Sequence, residues 1–322
     1  MSNLDPEPDE IVAASTGSRT ELLEPRDVPL GGPRSLTVRR TLPQRQRSLI
    51  GPWCFVDHYG PDPVTGPGAM TVPPHPHTGL QTVSWLFAGE IEHRDSTGSH
   101  AMVVPGELNL MTAGRGIQHS EVSTAATDVL HGAQLWVALP DADRNREPFF
   151  EHYAPPPVTF GEATLHVFLG ELIGSASPAR AFSPIVGAQI DLPPFATVEL
   201  PVDPSFEHGL LLDRGSISVD GDEVPLSHLA FRCVGSPTLT LTAGAEGART
   251  VLIGGAPFGE SIVMWWNFIG RSHDEIVAYR AEWQTDVIAG ATPDGPFGIV
   301  RDYPGSALPA PEMPGIRLKP RA

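Results

Sequence analysis

Short stretches in which apolar and polar residues alternate follow one another through most of the chain. Alternation with a period of two is typical of strands with one buried face, and Gly- and Pro-containing turns separate the stretches. We therefore predict an all-β fold of many short strands. The similar character of the two halves is weak evidence for an internal duplication. The stretches are 36–43, 79–99, 102–123 and 130–140 in the first half, and 163–172, 188–202, 208–226 and 248–257 in the second.

One segment near the C-terminus departs from the strand pattern. Ser272 and Glu275 have the spacing of a capping box, in which each side chain bonds the backbone of the other residue. From Ile276 to Trp283 apolar residues recur at the spacing of one helix face. This predicts a short helix over about 273–284.

The length and the local composition predict how the chain is divided. A chain of 322 residues favours two domains, with one large all-β unit as the alternative. The acidic, Pro-containing start is typical of a mobile leader, and the Pro-rich end favours a segment that wraps a surface or is disordered. A polar stretch at 140–148 has the composition of an interdomain linker. We predict a flexible leader at 1–25, domains at 26–142 and 143–290, and a Pro-rich tail at 291–322.

The charge and the cysteine content exclude several classes of function. Acidic residues outnumber basic ones by 38 to 21, and a net charge of −17 argues against direct binding to nucleic acid. No apolar run is long enough to span a membrane, and the acidic start is unlike a signal peptide. Cys54 and Cys233 are too few for a disulfide framework. We expect a cytoplasmic protein that binds neither membranes nor nucleic acid.

A local basic segment at 34–47 is the exception to the acidic character. It contains Arg39, Arg40, Arg45 and Arg47. The segment is either a basic patch or, more simply, the solvated edge of a strand.

Two pairs of polar residues have the spacing that places both side chains on one face of a strand. His75 and His77 are separated by one residue, and so are His119 and Glu121. If both strands line one barrel interior, three imidazole nitrogens and one carboxylate converge on a point. That ligand set suits a divalent ion such as Fe, Mn, Ni, Cu or Zn, with coordination positions left open. The simpler alternative is that each histidine is an ordinary core or surface residue.

A third pair, His93 and Asp95, has the same spacing. Glu92 and Arg94 beside it are charged, and the turn-forming sequence DSTGSH begins at Asp95. We interpret this pair as part of a hairpin tip and expect it to lie outside the ligand set.

The region 73–121, with the sequence PPHPHTGLQ at its start and GRGIQHSE at its end, closely resembles the pirin family of the cupin superfamily. The flanking sequences GPWCFVDHYGP and LHGAQLWVALP extend the resemblance, and GGAPFGE and SHDEI continue it more weakly, so that it covers about 27–288. It implies a bicupin, that is, two stacked β-sandwich barrels with a metal ion only in the first. It also implies that the ligands are the residues of the family motif, here His75, His77, His119 and Glu121.

The same resemblance implies one divalent transition-metal ion, with Fe(II) first and Mn, Ni, Cu, Co or Zn as alternatives. The second domain has Glu207-His208-Gly209 where a metal-binding cupin has a His-x-His pair, so we expect it to be metal-free and structural. His228 is expected at the surface or in the core rather than as a ligand. The family also implies a monomer.

Two functions compete on this basis. The first is an oxidoreductase that resembles quercetin 2,4-dioxygenase and acts on a small aromatic or enolic substrate with dioxygen. Glu121 is then the catalytic residue, as both ligand and base. The candidates for apolar walls are Phe55, Trp85, Leu110 and Met111, and core packing is the alternative for each.

The second function is a metal- or redox-dependent regulatory protein that binds a transcription factor or a metabolic enzyme. There the basic segment at 34–47 would be a contact surface. A third alternative, in which the ion only stabilises the first barrel, is less favoured because structural zinc sites are usually closed and rich in cysteine.

Two positions and one short segment depart from the family pattern. Gln81 stands where the family usually has Glu, and we expect this to remove a carboxylate near the metal while leaving ligation intact. Ala138 stands where many members have Asn, and the MWWNF sequence at 264–268 differs from that of some members. These departures bear on substrate specificity.

Overall fold

The computed structural model describes residues 20–29, 36–64, 70–292 and 295–321, so most of the predicted leader lies outside the described residues. Strands make up most of the described chain. In the first half they are β1 (Glu21–Leu23), β2 (Arg26–Pro29), β3 (Thr37–Leu42), β4 (Trp53–Pro63), β5 (Thr71–His77), β6 (Leu80–Ala88), β7 (Ile91–Asp95), β8 (His100–Val103), β9 (Leu108–Thr112), β10 (Ile117–Ser123), β11 (Val129–Ala138) and β12 (Phe149–Tyr153). In the second half they are β13 (Val158–Phe160), β14 (Ala163–Leu172), β15 (Ser175–Ala176), β16 (Ile185–Leu192), β17 (Thr197–Pro201), β18 (Glu207–Val219), β19 (Asp222–Val224), β20 (Leu229–Arg232), β21 (Thr238–Gly255), β22 (Val263–Trp265) and β23 (Phe268–Gly270).

The predicted helix is present as α1 (His273–Glu282), which continues as a π-helical turn, Trp283–Ile288. Its N-terminus has the predicted cap, because Ser272 Oγ accepts a hydrogen bond from the backbone N–H of Glu275 at 3.2 Å. The two acidic residues in the first turn also suit the positive end of the helix dipole.

The first barrel is a sandwich of two antiparallel sheets. One sheet has the order β5-β10-β7-β8, and the other has the order β12-β9-β6-β11-β4-β3-β2. Successive side chains of β6 point to opposite faces. Ser84 reaches Glu121 of the facing sheet, whereas the indole N–H of the next residue, Trp85, donates to Gln189 of the second barrel at 2.8 Å. The interior of the first barrel is thus on the Ser84 side of this strand.

The second barrel is formed by one curled sheet with the order β1-β20-β18-β21-β16-β14-β13. The short strands β15, β17 and β19 pair with β14, β21 and β18. Its interior is a cluster of buried Ala, Val, Leu and Ile side chains, including Leu165, Leu210 and Leu241. Burial of aliphatic side chains is the main stabilising contribution here. The predicted all-β fold of two barrels with a short C-terminal helix is confirmed.

A second apolar cluster joins the two barrels. It contains Trp53 and Trp85 from the first barrel together with Phe168 and Phe231 from the second. The indole N–H of Trp53 lies 3.2 Å from the backbone oxygen of Val186 and 3.1 Å from that of Gly254. This apolar cluster, which draws on strands of both barrels, joins them across their interface.

The boundaries between the two barrels, as the sheets define them, differ from the domain boundaries predicted from composition. Residues 21–23, expected in the leader, form β1 and pair with β20 of the second barrel, because Leu23 is buried between the barrels. The polar stretch at 140–148 forms turns, in which Arg144 bonds Glu275. The next strand, β12, still pairs with β9 of the first barrel, so the chain crosses between barrels at 154–157.

Residues 295–321, which we call the C-terminal strap, contact strands of the first barrel as far as Leu308 and then run along α1 and β22. The backbone N–H of Leu308 donates to the oxygen of Pro74 at 2.8 Å, and the Gln118 side chain donates to the oxygen of Gly298 at 2.5 Å. The first of the two predictions for the tail, that it wraps a surface, holds for the strap. Neither α1 nor any other helix in the described part of the chain has the length and apolar character needed to cross a bilayer.

Candidate metal centre

Two neighbouring strands, β5 and β10, bring the predicted ligands together. His119 pairs directly with His75, and Ile117 pairs with His77. The register shifts between His119 and Glu121, where one strand has an extra residue. The extra residue lies in β5, so the three histidines face one another, while Glu121 pairs with His93 of β7 on the other side of β10, where the register has no shift.

The three imidazoles have the spacing of ligands to a single ion. The ring centroid of His75 lies 4.4 Å from that of His119 and 5.1 Å from that of His77. The Nε2 atoms of His77 and His119 are 3.1 Å apart. Two nitrogens that bind one ion at about 2.1 Å lie about 3.0 Å apart at a right angle and about 3.4 Å apart at a tetrahedral angle. The residues present fit a bound metal ion.

The protonation of the histidines also suits a metal. His75 Nδ1 lies 2.9 Å from the backbone oxygen of Pro73, to which it donates, and this leaves the Nε2 lone pair free. Burial lowers the pKa of His75 to about 4, although the Pro73 hydrogen bond opposes this effect. Burial likewise lowers the pKa of His77 and of His119 well below the usual value. The three rings are thus neutral at physiological pH, which is the form that binds metals.

Glu121 lies at the edge of this histidine group. Its carboxylate falls within 4.8 Å of ligand atoms of His93 and His119, whereas the group formed by His75, His77 and His119 does not include it. Ser84 Oγ is 3.5 Å from Glu121 Oε1. Burial raises the pKa of Glu121, and His93 and the Ser84 hydrogen bond oppose the rise. Its role as a ligand remains a prediction.

His93 differs most from the prediction. It does not lie at a hairpin tip but in the middle of β7, and only 3% of it is exposed. The turn follows at 96–99, so Asp95 ends the strand and His93 points into the barrel. The charged flanks misled the interpretation because Glu92 and Arg94 occupy the opposite face of the strand and bond each other there. The i, i+2 spacing with Asp95 was the signal for a buried face.

Two of the four proposed wall residues lie on the metal side. Phe55 stacks on Trp136 with the ring centroids 4.0 Å apart, and Met111 belongs to the same cluster. Trp85 and Leu110 instead lie in the cluster between the barrels, so assigning them to the wall is wrong. The cause is strand register, which decides which alternate residues face inward.

Sequence reasoning missed two aromatic residues near the ligands. The ring of Trp136 meets that of His77 edge-on at 5.1 Å, and the ring of Phe150 stacks on that of His93 at 4.8 Å. Phe150 reaches the site because β12 belongs to the first barrel, whereas the sequence placed it in the second domain. Trp136 has the same strand face as Gln134, which bonds Ser84 in the interior.

A small cavity of about 20 Å³ lies beside Glu121. Tyr59, Gln134 and Met70 are among its lining residues. A volume of this size holds about one water molecule. Asp57 also lines the cavity, and it forms a bidentate pair with Arg40 at 2.6 and 2.7 Å.

Gln81, the first departure from the family pattern, does not lie near the metal. It shares the strand face of Val83 and Trp85, which is directed towards the second barrel. Its amide donates to Thr112 Oγ1 at 2.9 Å and to the backbone oxygen of Arg180 at 3.0 Å. The expectation that this position removes a carboxylate near the metal is therefore wrong. Ala138, by contrast, belongs to the cluster on the metal side.

Two protein-family models match this chain. The family model for pirin matches residues 35–137, and the model for the pirin C-terminal cupin domain matches residues 187–288. The chain belongs to the pirin family. The resemblance seen in the sequence is confirmed.

Relatives and solved structures agree with this assignment. A Pseudomonas aeruginosa protein whose name gives quercetin 2,3-dioxygenase as a provisional activity is 41% identical over 290 residues, which cover 90% of this pirin and 89% of that protein. A pirin-like protein of Caulobacter vibrioides is 36% identical and covers 77% of this chain and 88% of its own. The crystal structure of quercetin 2,3-dioxygenase from Acinetobacter baumannii has a TM-score of 0.86 and 36% identity, with 93% of this chain and 97% of that chain covered.

The basic segment of this pirin is largely neutralised inside the fold. Arg40 is paired with Asp57, and Arg47 is paired with Glu21 at 2.7 Å. Arg39 bonds the backbone oxygen of Gly60 and faces His58. The segment is therefore a poor basic patch, although Arg45 is exposed.

Another cluster of ligand-type residues in this pirin lies between the barrels. Asp213 Oδ1 accepts from Nε2 of His58 at 2.8 Å and lies 2.5 Å from Nε2 of His131, while Asp213 Oδ2 accepts from Arg249 at 2.5 Å. Arg39 donates to Nδ1 of His58 at 3.4 Å, which assigns the ring proton to Nε2. Because Asp213 is paired with His58 and with Arg249, we interpret the cluster as an ion-pair network that joins the barrels.

Proposed function

We propose that this pirin is a mononuclear metal-dependent dioxygenase that acts on flavonols such as quercetin. The observation that carries the proposal is the convergence of three neutral imidazoles, with Glu121 alongside, beneath an aromatic wall of Phe55 and Trp136. The names of the Pseudomonas and Acinetobacter relatives support the substrate class. The proposed ligands are His75, His77, His119 and Glu121.

A divalent ion in this site supplies Lewis acidity and, for a redox-active metal such as Fe(II), electron transfer with dioxygen. The side chains of the chain itself do the rest. Glu121 accepts the proton of the acidic flavonol 3-hydroxyl, with Ser84 Oγ beside Oε1 to orient the carboxylate. Phe55 and Trp136 offer their faces and edges to the flat ring system of the substrate.

The position of ring cleavage is a finer part of the proposal. We expect 2,4-cleavage with release of carbon monoxide, so one molecule of dioxygen is consumed for each molecule of carbon monoxide formed. Detection of carbon monoxide in the headspace distinguishes this outcome from oxidation of the flavonol without ring opening.

The size of the cavity sets a condition on substrate binding. Pockets for small molecules are typically about 300–1,000 Å³, whereas the cavity beside Glu121 has a volume of about 20 Å³. A flavonol therefore binds only if side chains around the cavity move. Protection of these residues from hydrogen exchange by quercetin would report this adjustment.

The decisive experiment compares the parent protein with His77→Ala and Glu121→Ala after purification without added metal. Metal content is measured by mass spectrometry, and oxygen uptake is measured with quercetin. About one equivalent of metal in the parent, reduced in both variants, with oxygen uptake only in the parent, is the expected result. Unchanged metal content in both variants would refute the site.

The small cavity favours one second candidate, a metal-dependent regulatory protein that binds a transcription factor or a metabolic enzyme. Such a protein needs a buried metal but no room for a substrate. The neutralised basic segment offers this function little support. Metal binding without oxygen uptake for any of several flavonols would favour it.

We further expect this pirin to be a cytoplasmic monomer. Light scattering of the purified protein tests the monomer, and fractionation of the source cells tests the location.

A further inference from the structure

A second set of residues of the types that bind metals lies next to the three histidines, on the side of β7. Ligand atoms of His93, His119 and Glu121 all lie within 4.8 Å of one another. The Nδ1 atoms of His93 and His119 are 3.4 Å apart. That spacing matches two nitrogens bound at about 2.1 Å to one tetrahedral ion.

His93 is held in the orientation of a metal ligand. Its Nε2 lies 3.2 Å from Asp95 Oδ2, and both side chains are almost completely buried. Asp95 is itself fixed, because its Oδ1 accepts from the backbone N–H groups of Thr97 and Ser99 at 2.8 and 3.1 Å and from the Thr97 hydroxyl at 2.6 Å. The Nε2 proton of His93 is thus directed to a carboxylate, and its Nδ1 lone pair points towards His119. A carboxylate that fixes the far nitrogen of an imidazole is the usual support of a histidine that binds metal.

The two sets share one ring. His119 presents Nε2 to His77 and Nδ1 to His93. Glu121 is the direct partner of His93 in the unshifted pairing of β10 with β7, so the carboxylate lies on the β7 side of His119. A neutral imidazole has a lone pair on only one of its two nitrogens. The shared ring can therefore serve one set at a time.

We propose that His93 is a fifth metal-binding residue and that His93, His119 and Glu121 form a second ligand set, which takes the same single divalent transition-metal ion as the set of His75, His77 and His119. This inference rests on the metal site of the proposed function and adds a residue and a second ion position to it. The tautomer of His119 decides which position is filled. The stoichiometry stays at one ion per chain.

The test uses Co(II), whose visible absorption reports ligand number and geometry, on the full-length protein after removal of bound metal. Affinity is measured by competition with a chelator. We expect His93→Ala and His93→Gln to weaken Co(II) binding about 10- to 100-fold and to change the spectrum. Asp95→Asn should act in the same direction with a smaller effect. His75→Ala should still bind one Co(II) with an altered spectrum, and His75→Ala combined with His93→Ala should bind none.

The matched control is His100→Ala on the neighbouring strand β8. The side chain of His100 is 48% exposed and bonds Glu92 on the outer face, so Co(II) affinity and spectrum should not change. Thermal unfolding of the metal-free variants confirms that each is folded, and His93→Gln retains a polar group where the alanine leaves a gap. Parent affinity and spectrum in both His93 variants would overturn the proposal, as would a double variant that binds as well as His75→Ala.

The outcome separates this inference from the proposed function. If Co(II) binding depends on His93 but quercetin causes no oxygen uptake, the second ligand set stands and the dioxygenase does not. If the His93 variants bind Co(II) as the parent does while quercetin is consumed, the dioxygenase stands and the second set does not.

Discussion

The two barrels of this pirin share an architecture but have opposite interiors. The interior of the first holds four histidines and a glutamate, which come from β5, β7 and β10. The interior of the second is aliphatic, and its buried histidine, His208, has no ligand cluster around it among the described residues. Because both interiors are built on the same barrel architecture, the architecture itself does not determine the chemistry. The chemistry depends on which residues the strands present to the interior.

The two interiors also contribute differently to the stability of the fold. Burial of aliphatic groups stabilises the second barrel, whereas burial of imidazoles and a carboxylate in the first requires that they stay neutral or have partners. The interior of the first barrel is therefore less stabilising than an aliphatic core of the same size would be. A bound ion would restore stability there and leave the second barrel unchanged.

The largest expected effect comes from the link between the barrels. Asp213→Asn removes the carboxylate that two histidines and Arg249 share, and we expect a loss of about 3–5 kcal/mol in the free energy of unfolding. Urea unfolding measures it. Glu147→Gln, in the exposed pair with Arg115, is the control and should change little. A near-neutral Asp213→Asn would mean that the apolar interface alone joins the barrels.

The second prediction tests whether the core of the second barrel affects stability without affecting metal affinity in the first. Leu241→Ala, in the fully buried interior of the second barrel, should cost about 2–5 kcal/mol of unfolding free energy and leave metal affinity unchanged. Chemical unfolding and chelator competition measure the two quantities. Leu226→Ala, at a position that is 58% exposed, serves as the control. Weakened metal binding in Leu241→Ala would show that the barrels are coupled.

The third prediction concerns Gln81. Gln81→Glu loses both amide hydrogen bonds and puts a carboxylate against the backbone oxygen of Arg180, so we expect a cost of about 1–3 kcal/mol. Metal affinity should stay at the parent value, because the side chain faces away from the ligands. A changed affinity would show that this position communicates with the metal through the strand.

The smallest effect at neutral pH is a dependence of stability on pH. Burial lowers the pKa of His208 to about 4, although Asp203 opposes it, and burial also lowers the pKa of His58, which Asp213 opposes and Arg39 and His131 assist. The unfolded chain binds protons near pH 6.5 and the folded chain does not, so stability is lost as the pH falls from about 6.5 towards 4. Unfolding measured between pH 7 and 5 in metal-free protein checks this, and His208→Gln should flatten the curve.

Local patterns in the sequence were sufficient to predict the all-β fold and part of the candidate site. The spacing of His75 and His77 and of His119 and Glu121 placed each pair on one strand face, and the capping pair located α1. These features depend on residues close together in the chain. They need no knowledge of which strands are neighbours.

The errors came from contacts between distant residues. The face of Trp85 and of Gln81 depends on the register between β6 and its partners, and the inward position of His93 depends on the pairing of β7 with β10, a strand further along the chain. The register shift between β5 and β10, with its extra residue between Val72 and His75, likewise depends on how these two strands pair. Such features arise from pairing and packing, not from local propensity.

The C-terminal strap has a consequence for the order in which the protein is made. The strap reaches Pro74 and Gln118, whose neighbours in sequence are His75 and His119, and Gln118 is 180 residues from its partner Gly298. During synthesis the strands with the histidines leave the ribosome long before the residues that cover their outer side. At that stage the strands that carry the histidines have one side open, and the strap, which emerges later, closes it.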